Sequence, residues 1–299
     1  MITPVAGPDL SNTRLTTARN LRRQLPRWPV SSIVILSILV VAAGFAPLIA
    51  PHDANLGDLG DRHIPPVLFG GTPDHILGTD GLGRDIFSRI VHGARISVAV
   101  AVVTLGVGGA IGTLLGIVSG YAGGWVDEVI MRIVDIKFAV PLILIALALA
   151  MILGPSLGLL LGLLVFLIWG HFARQVRAEV LVIVTMDYVA AARSSGASPV
   201  RIMYRHVLPG VINIVVVVGT LQVGAVVLAE ASLSFLGAGV PSSMPAWGAM
   251  VAEGRLYIDT AWWVSLVPGV VIGLLVMAVT LLGDWLRDRL DPRLRQVQL

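Results

Sequence analysis

Hydrophobic positions along this chain are grouped in long uncharged runs rather than in the short alternations typical of soluble helices or strands. A bilayer core about 30 Å thick needs roughly 20 apolar helical residues. Five uncharged runs approach or exceed that length: Ile33 to Ala50, Ile96 to Val118, Phe138 to Gly170, Val207 to Ala229 and Ala261 to Gly283. The pattern predicts an all-α integral membrane protein.

The third run is too long for one crossing, because a helix rises only about 1.5 Å per residue. Gly154, Pro155 and Ser156 lie where a helix would stop and restart. We therefore predict two spans joined by a tight outer turn, the first of them entering through the mixed segment Val129 to Lys137. This gives about six transmembrane helices.

Composition agrees with a membrane protein, since 56% of the 299 residues are hydrophobic, 13% are charged and the mean hydropathy is +0.88. Soluble domains are nearer a quarter charged. The net charge of +3 argues against nucleic-acid binding. The absence of cysteine excludes disulfides, thiolate metal sites and thiol nucleophiles.

Basic residues predict the orientation, because arginine and lysine accumulate in cytoplasmic loops. With the N-terminus inside, the segments 1–32, 119–137, 171–206 and 284–299 are cytoplasmic and carry 16 of the 21 basic residues. The predicted order is a cytoplasmic segment 1–32, a first helix 33–50, an extracytoplasmic loop 51–95, a transmembrane core 96–283 and a cytoplasmic tail 284–299. A cleaved signal peptide is the alternative for the first run, but its polar lead of 32 residues is long for one.

Glycines recur every four residues within the second predicted helix, at Gly108, Gly112, Gly116 and Gly120. Such a row lies on one helical face and lets another helix approach closely. We interpret the row as a helix-packing surface, whose partner lies in this chain or in another.

The sequence contains no recognisable motif for nucleotide binding, metal binding or catalysis. A nucleotide-binding loop requires a Gly-Lys pair, and the only lysine, Lys137, follows Ile136. The glycines of Leu77 to Ser97 are better explained as a turn leading into the second helix. The six histidines form no metal-binding pattern with carboxylates, so no metal, cofactor or catalytic residue is predicted.

Titratable residues near the spans are few, namely Glu230 at the outer end of the fifth predicted helix and Asp135 with Lys137 at the inner start of the third. We interpret them as interfacial residues or a local ion pair. Ion-coupled carriers place such groups inside the bundle, so their scarcity counts against a carrier.

The segment 186–209, between the fourth and fifth predicted helices, is predicted to form two short helices joined at Gly196. Ser198 and Pro199 supply an N-cap followed by proline at the first helical position, and Ile202 lies in the second helix. An amphipathic interfacial segment is the alternative. The layout is nevertheless what docking of a cytoplasmic partner would require.

This segment resembles the EAA motif of ABC importer permeases, in which E-A-A is followed by three residues, Gly, nine residues, Ile, one residue and Leu-Pro. Ala190, Ala191 and Ala192 take the first places, Gly196 the glycine, His206 the isoleucine, and Leu208 and Pro209 the ending. Two positions depart from the pattern, since Ala190 lacks the carboxylate and His206 is not aliphatic.

Four further stretches resemble the C-type permease subunit of the dipeptide, oligopeptide and nickel ABC importer family. They are Leu77 to Ser97, Gly120 to Asp135, Glu230 to Pro241 and Gly283 to Arg295. The resemblance implies the type I permease fold, with the 186–209 loop as the coupling element, in the bacterial inner membrane.

The resemblance also implies the partners. They are a second related permease, two ATP-binding subunits that hold the ATP and Mg²⁺, and an extracytoplasmic substrate-binding protein delivering di- or oligopeptides. A secondary carrier, or less plausibly a membrane-embedded enzyme, is the alternative function.

Overall fold

The structure, a computed structural model, describes residues 29–241 and 243–290, without the side chain of residue 290. The predicted segments 1–32 and 284–299 therefore lie largely outside the described residues. Within the described ranges the chain forms no strand, and only two isolated bridges pair backbone segments. The α-helices are α1 Val30–Gly44, α2 Ala46–Ile49, α3 Ile86–Ala122, α4 Gly124–Ala139, α5 Leu142–Leu153, α6 Leu157–Ile183, α7 Asp187–Ser194, α8 Pro199–Ile202, α9 Leu208–Phe235, α10 Trp247–Gly254 and α11 Trp263–Leu290.

Four helices of the described part are long and apolar enough to cross a membrane. They are α3, α6, the continuous stretch Pro199–Phe235 that contains α9, and α11. The α4–α5 pair satisfies the same criteria only when its two members count as one span. Helix α1, with 15 residues, is shorter.

The predicted break in the third uncharged run is confirmed. Helix α5 ends at Leu153, Gly154 has a φ of +76°, and α6 begins at Leu157. Ser156 caps α6, because its hydroxyl accepts a hydrogen bond from the backbone N–H of Leu159 at 3.2 Å.

The path into the third span was predicted incorrectly. Instead of one helix through Lys137, α4 and α5 meet at Val140 and Pro141 with a bend of 77°. Val140 has an extended backbone with ψ 122°, the conformation that a following proline imposes. The first uncharged run is also divided, because α1 ends at Gly44 and α2 starts anew at Ala46 with Pro47 in its first turn.

Helices α3 and α6 form the centre of the bundle, and the glycine row accounts for their close approach. A Cβ on Gly112 would overlap the carbonyl oxygen of Trp169, and one on Gly116 would lie 2.7 Å from that of Ala173. Gly108 faces Ile168, and Gly120 faces Val180. Because contacts move along both helices in the same direction, α3 and α6 run parallel.

The remaining long helices surround this pair. Helix α9 packs against α6, α3 and α11, while α1 packs against α3 and α11. The short helix α10 lies against α11 and α9, and its Trp247 is fully buried with its indole N–H donating to the carbonyl oxygen of Ile90 at 3.0 Å. No uncharged run had predicted α10.

The segment 51–85 that precedes α3 is irregular, as predicted, apart from two 3₁₀ turns at Leu59–Asp61 and Val67–Phe69. Gly83 has a φ of +72°, and a Cβ there would overlap the carbonyl oxygen of Asp58. Asp85 starts α3 by accepting the backbone N–H of Ser88 at 2.7 Å. Glycines leading into a helix therefore explain this stretch.

Candidate functional site

The segment between α6 and α9, called here the α6–α9 loop (residues 186–209), contains the two short helices that the sequence predicts. Helix α7 ends in a Schellman motif, in which the N–H of Ala197 donates to the carbonyl of Ala192 and the N–H of Gly196 to that of Arg193, both at 3.1 Å. Gly196 has a φ of +80°, which favours glycine.

Helix α8 starts at Pro199, with the hydroxyl of Ser198 accepting the N–H of Arg201 at 3.4 Å. It does not stop before the span. A π-helical turn, Met203–Val207, continues directly into α9 at Leu208 and Pro209. Helix α8, the π turn and α9 thus form one continuous helical stretch.

Three buried side chains anchor the loop to the bundle. Val189 of α7, Ile202 of α8 and Val207 of the π turn lie in one apolar cluster with residues of α3, α6 and α9. The members from those three helices are Ile117, Val176, Val180, Ile183 and Val211. Val180 also contacts Gly120, so the cluster continues the α3–α6 packing into the loop.

The opposite side of the loop is exposed. Val200 is 70% exposed and Tyr204 74% exposed, and both stand among the exposed side chains of Arg201 and Arg205. Of the residues matched to the EAA motif, Ala190, Ala191, Gly196 and Pro209 are exposed, as is Ser198, while Ala192, His206 and Leu208 are half-buried. The ring of His206 lies 6.2 Å from that of Tyr188.

Titratable side chains near the spans are more deeply buried than predicted. Lys137 is buried, donates to the carbonyl oxygen of Leu167 and lies 4.2 Å from the ring centroid of Phe138. Asp135 pairs with Arg174 at 2.6 Å and not with Lys137. The predicted alternative of an ion pair between Asp135 and Lys137 was therefore wrong, and Lys137 lies inside the protein rather than extending into solvent.

Glu230, expected at the outer end of its helix, is 1% exposed, and α9 continues five residues past it. One carboxylate oxygen accepts the hydroxyl of Ser234 at 2.9 Å. The other has no hydrogen-bond partner among the described residues. The sequence pattern gave no signal for this burial, because α9 is apolar on all its faces.

At the other end of α3, four charged side chains form what we call the charge clamp: Asp80, Arg84, Arg89 and Glu253. Arg84 donates to Asp80 at 2.7 Å and to Glu253 at 2.7 Å. Arg89, 1% exposed, donates to the same two carboxylates. The clamp joins the segment before α3 to α10. The sequence did not predict it, because Glu253 lies far along the chain from the other three residues.

Burial alone would raise the pKa of Asp80, but the backbone N–H of Arg84 and the charges of Arg89 and Arg84 outweigh that effect. The pKa of Asp80 consequently lies below its ordinary value, so its carboxylate is ionised near neutral pH.

The structure also corrects the expectation that no histidines gather around a carboxylate. His52, His75 and Asp85, which are far apart in sequence, lie together beside the start of α3. Sequence spacing gives no signal for this cluster.

Together, the apolar spans, the closely packed parallel pair and the exposed helical loop define a multi-span α-helical membrane protein that exposes a helical loop at one end. Comparison with known proteins specifies its family. A model described as "Binding-protein-dependent transport system inner membrane component" matches residues 112–296. The chain belongs to this family.

The chain is 44% identical over 294 residues to the glutathione transport system permease protein GsiD of Escherichia coli O6:K15:H31, covering 98% of this chain and 95% of that protein. It is 41% identical over 266 residues to GsiD of Pectobacterium atrosepticum, covering 89% and 87%. A chain of the inward-facing MetNI methionine ABC transporter has a TM-score of 0.58 at 21% identity, covering 69% of this chain and 98% of that one.

These findings confirm the all-α permease fold of type I ABC importers and the predicted class of function, a permease subunit of such an importer. The chain is a transport component. Its family works in the inner membrane, in agreement with the apolar helices.

Proposed function

We propose that this chain, together with a second related permease, forms the translocation pathway of an ATP-driven importer for di- or oligopeptides. The observation that carries the proposal is the α6–α9 loop, which is anchored by apolar contacts on one side and exposes Val200, Tyr204 and arginines on the other. The substrate class is supported by the relatives named for transport of glutathione, which is a tripeptide.

Two ATP-binding subunits dock on the exposed side of this loop and hold the ATP and Mg²⁺, since this chain lacks the glycine-lysine loop that binds phosphates. An extracytoplasmic binding protein delivers the substrate at the opposite end. Both termini are cytoplasmic in this arrangement, and the segment 51–95 is external.

In the mechanism, closure of the ATP-binding subunits pushes on α7 and α8. The force passes through Ile202 and Val207 into α9, and through Val180 into the α3–α6 pair. These helices then alternate between inward and outward access. The chain converts a movement into an open pathway and makes or breaks no covalent bond.

Coexpression with its partner subunits tests the proposal. The expected result is a stable complex whose ATP hydrolysis rises with the binding protein and one member of a panel of dipeptides, oligopeptides, nickel chelates and glutathione. The proposal would be contradicted if the chain were isolated without an ATPase, or if the rate of ATP hydrolysis did not rise with any member of the panel.

The buried Lys137 and Glu230 remove one argument against an ion-coupled carrier, because carriers use such groups. Uptake into proteoliposomes separates the two mechanisms. Importer function requires internal ATP and no ion gradient, whereas uptake driven by a proton gradient without ATP would favour the carrier.

Orientation is tested separately by labelling single cysteines, which the natural absence of cysteine permits. Leu68→Cys, at a position 91% exposed, should react with an impermeant reagent in intact cells. Val200→Cys should react only after the membrane is opened. The reverse pattern would overturn the topology.

A further inference from the structure

Three segments meet in the cluster of His52, His75 and Asp85, which we call the histidine cluster. His52 follows the end of α2, His75 lies in a turn, and Asp85 is the N-cap of α3. The imidazole Nδ1 of His75 lies 3.1 Å from Oδ1 of Asp85, and that of His52 lies 4.0 Å from Oδ2. One ligand atom from each residue can be chosen so that all three lie within 4.8 Å of one another.

These distances are close to those that a metal ion requires. Zinc binds imidazole nitrogen and carboxylate oxygen at about 2.0–2.2 Å, so tetrahedral ligands lie roughly 3.3–3.6 Å apart. The pair formed by His75 and Asp85 is already near that spacing. His52 must approach by less than about 1.5 Å on this measure. Its side chain is 40% exposed, and its ring centroid lies 4.8 Å from that of His75.

The two imidazoles and one carboxylate determine which metal ions the cluster can bind. Imidazole nitrogen suits Zn²⁺, Ni²⁺ and Cu²⁺, whereas Mg²⁺ and Ca²⁺ prefer all-oxygen sites. Asp85 can bind a metal and still cap α3, because a carboxylate offers about four lone-pair sites. Its carboxylate is held by the N–H of Ser88, whose hydroxyl accepts the backbone N–H of His52 at 3.1 Å. Ser88 thus orients two of the three ligands from behind.

Solvent ions can reach the cluster. An open cavity of about 500 Å³ is lined by all three residues, and also by the acidic side chains of Asp58 and Asp61. Asp85 lies at its buried wall, at 1% exposure. Carboxylates around such an opening raise the local concentration of cations. Three protein ligands at the wall leave a fourth coordination position facing the cavity.

We propose that His52, His75 and Asp85 bind one divalent transition-metal ion, of the Zn²⁺, Ni²⁺ or Cu²⁺ class, with a coordination position open to the cavity. The ion fastens the end of the first apolar segment to the start of α3. This site stands on its own geometry and is independent of the substrate that the importer carries.

Metal binding is measured on the full-length chain, purified in detergent with a tag that contains no histidine, stripped with a chelator and dialysed against Zn²⁺. Elemental analysis should find one bound Zn²⁺ per chain. Co²⁺ should give the strong visible absorption of a tetrahedral or five-coordinate site. Thiolates cannot contribute to that signal, because the chain has no cysteine.

The variants His52→Gln and His75→Gln should each weaken Zn²⁺ binding by at least about tenfold, since even outer-sphere changes cost that much. His92→Gln is the matched control, because His92 lies one helical turn past Ser88 and hydrogen-bonds to its carbonyl oxygen rather than joining the cluster. Asp85→Asn removes the charge yet retains a good helix cap.

Loss of binding in the cluster variants, with retention in His92→Gln, supports the site. Lack of bound Zn²⁺ and Co²⁺ in the wild-type chain would overturn it, whatever the variants do. Equal affinity in the wild type, His52→Gln and His75→Gln would overturn it as well, since the hydrogen-bonded cluster would then have only a structural role.

Discussion

The two ends of helix α3 are held by different physical forces. At its C-terminal end the α6–α9 loop is attached by apolar side chains, whereas at its N-terminal end the charge clamp joins the segment 51–85 to α10 through ion pairs of buried Arg and Asp side chains with the half-buried Glu253. Apolar contacts are non-directional and tolerate small displacements. Charged hydrogen bonds depend on angle and distance, and fix one geometry.

The proposed mechanism assigns different tasks to these two ends of the molecule. An end that receives a mechanical push benefits from contacts that persist during sliding, and an end that supports the pathway benefits from rigid positioning. Four substitutions test this comparison, in order of their expected effect on the free energy of unfolding.

The largest effect is expected for Arg89→Met in the charge clamp. Removing this guanidinium leaves the buried carboxylate of Asp80 with one of its partners missing, which costs about 3–5 kcal/mol when a buried pair is broken. Thermal denaturation followed by size-exclusion chromatography measures the loss. Arg62→Met, at an exposed position, is the control and should change stability by less than about 0.5 kcal/mol. Equal losses of stability in Arg89→Met and Arg62→Met would show that the clamp stabilises the fold no more than an exposed arginine does.

The contribution of Asp80 to stability should not respond to pH in the physiological range. Because the pKa of Asp80 is lowered, its stabilising contribution is present above the ordinary value of 3.8 and is lost only as the pH falls further, through the folded-state pKa. Wild-type stability attributable to Asp80 should therefore be level between about pH 5 and 8, a window that lies above both values.

A smaller loss, about 1–3 kcal/mol or somewhat more, is expected for Gly112→Leu, which forces a side chain into the backbone of α6. Gly106→Leu is the matched control on the same helix, because no described residue lies within 4 Å of a Cβ built there. The yield of folded chain, and of complex with the partner subunits, measures the effect. Similar yields for both variants would show that the glycine row is not needed for close packing of α3 against α6.

Gly196→Val should cost about 1–2 kcal/mol, because a left-handed backbone is strained for residues with a Cβ. A steric clash with neighbouring residues does not contribute to this cost, since the surroundings of Gly196 are open in the described structure. The variant should insert normally and lose substrate-stimulated ATP hydrolysis and uptake. Gly196→Asn, which tolerates the left-handed region, should retain more of both. Normal uptake by the valine variant at normal abundance would refute a coupling role.

The smallest change in stability, under about 0.5 kcal/mol, is expected for Val200→Ser on the exposed side of the loop. Its expected effect is on ATP hydrolysis by the complex, which should respond less to substrate because an apolar contact with the ATPase is lost. Leu256→Ser, at an equally exposed position beside α10, is the control. If both variants behave like the wild type, the partner docks elsewhere.

Local signals in the sequence predicted the loop well. Gly196, Ser198 and Pro199 each act on their own neighbours in the chain, so their effect on the backbone can be recognised without knowing the fold. The same is true of Gly154 and Ser156 at the turn between α5 and α6. Pro141 carried a comparable signal for the bend after α4, but the uncharged run around it concealed the break.

Long-range arrangements could not be predicted in this way. Glu253 lies 164 positions from Arg89, and no periodicity or motif relates the two. The burial of Lys137 likewise depends on α6, where Gly170 leaves room for its ammonium group. Such partners are determined by how helices pack, which one sequence does not specify.

The continuity of α8, the π turn and α9 has a geometric consequence. The stretch Pro199–Phe235 contains 37 helical residues, and at about 1.5 Å per residue it acts as a lever roughly 55 Å long. A tilt of only about 5° about one end would move the other by roughly 5 Å, a little less than one helical pitch. Glu230 lies 31 residues along this stretch from Pro199, so the same tilt about the Pro199 end would move it by roughly 4 Å relative to helices that stay in place.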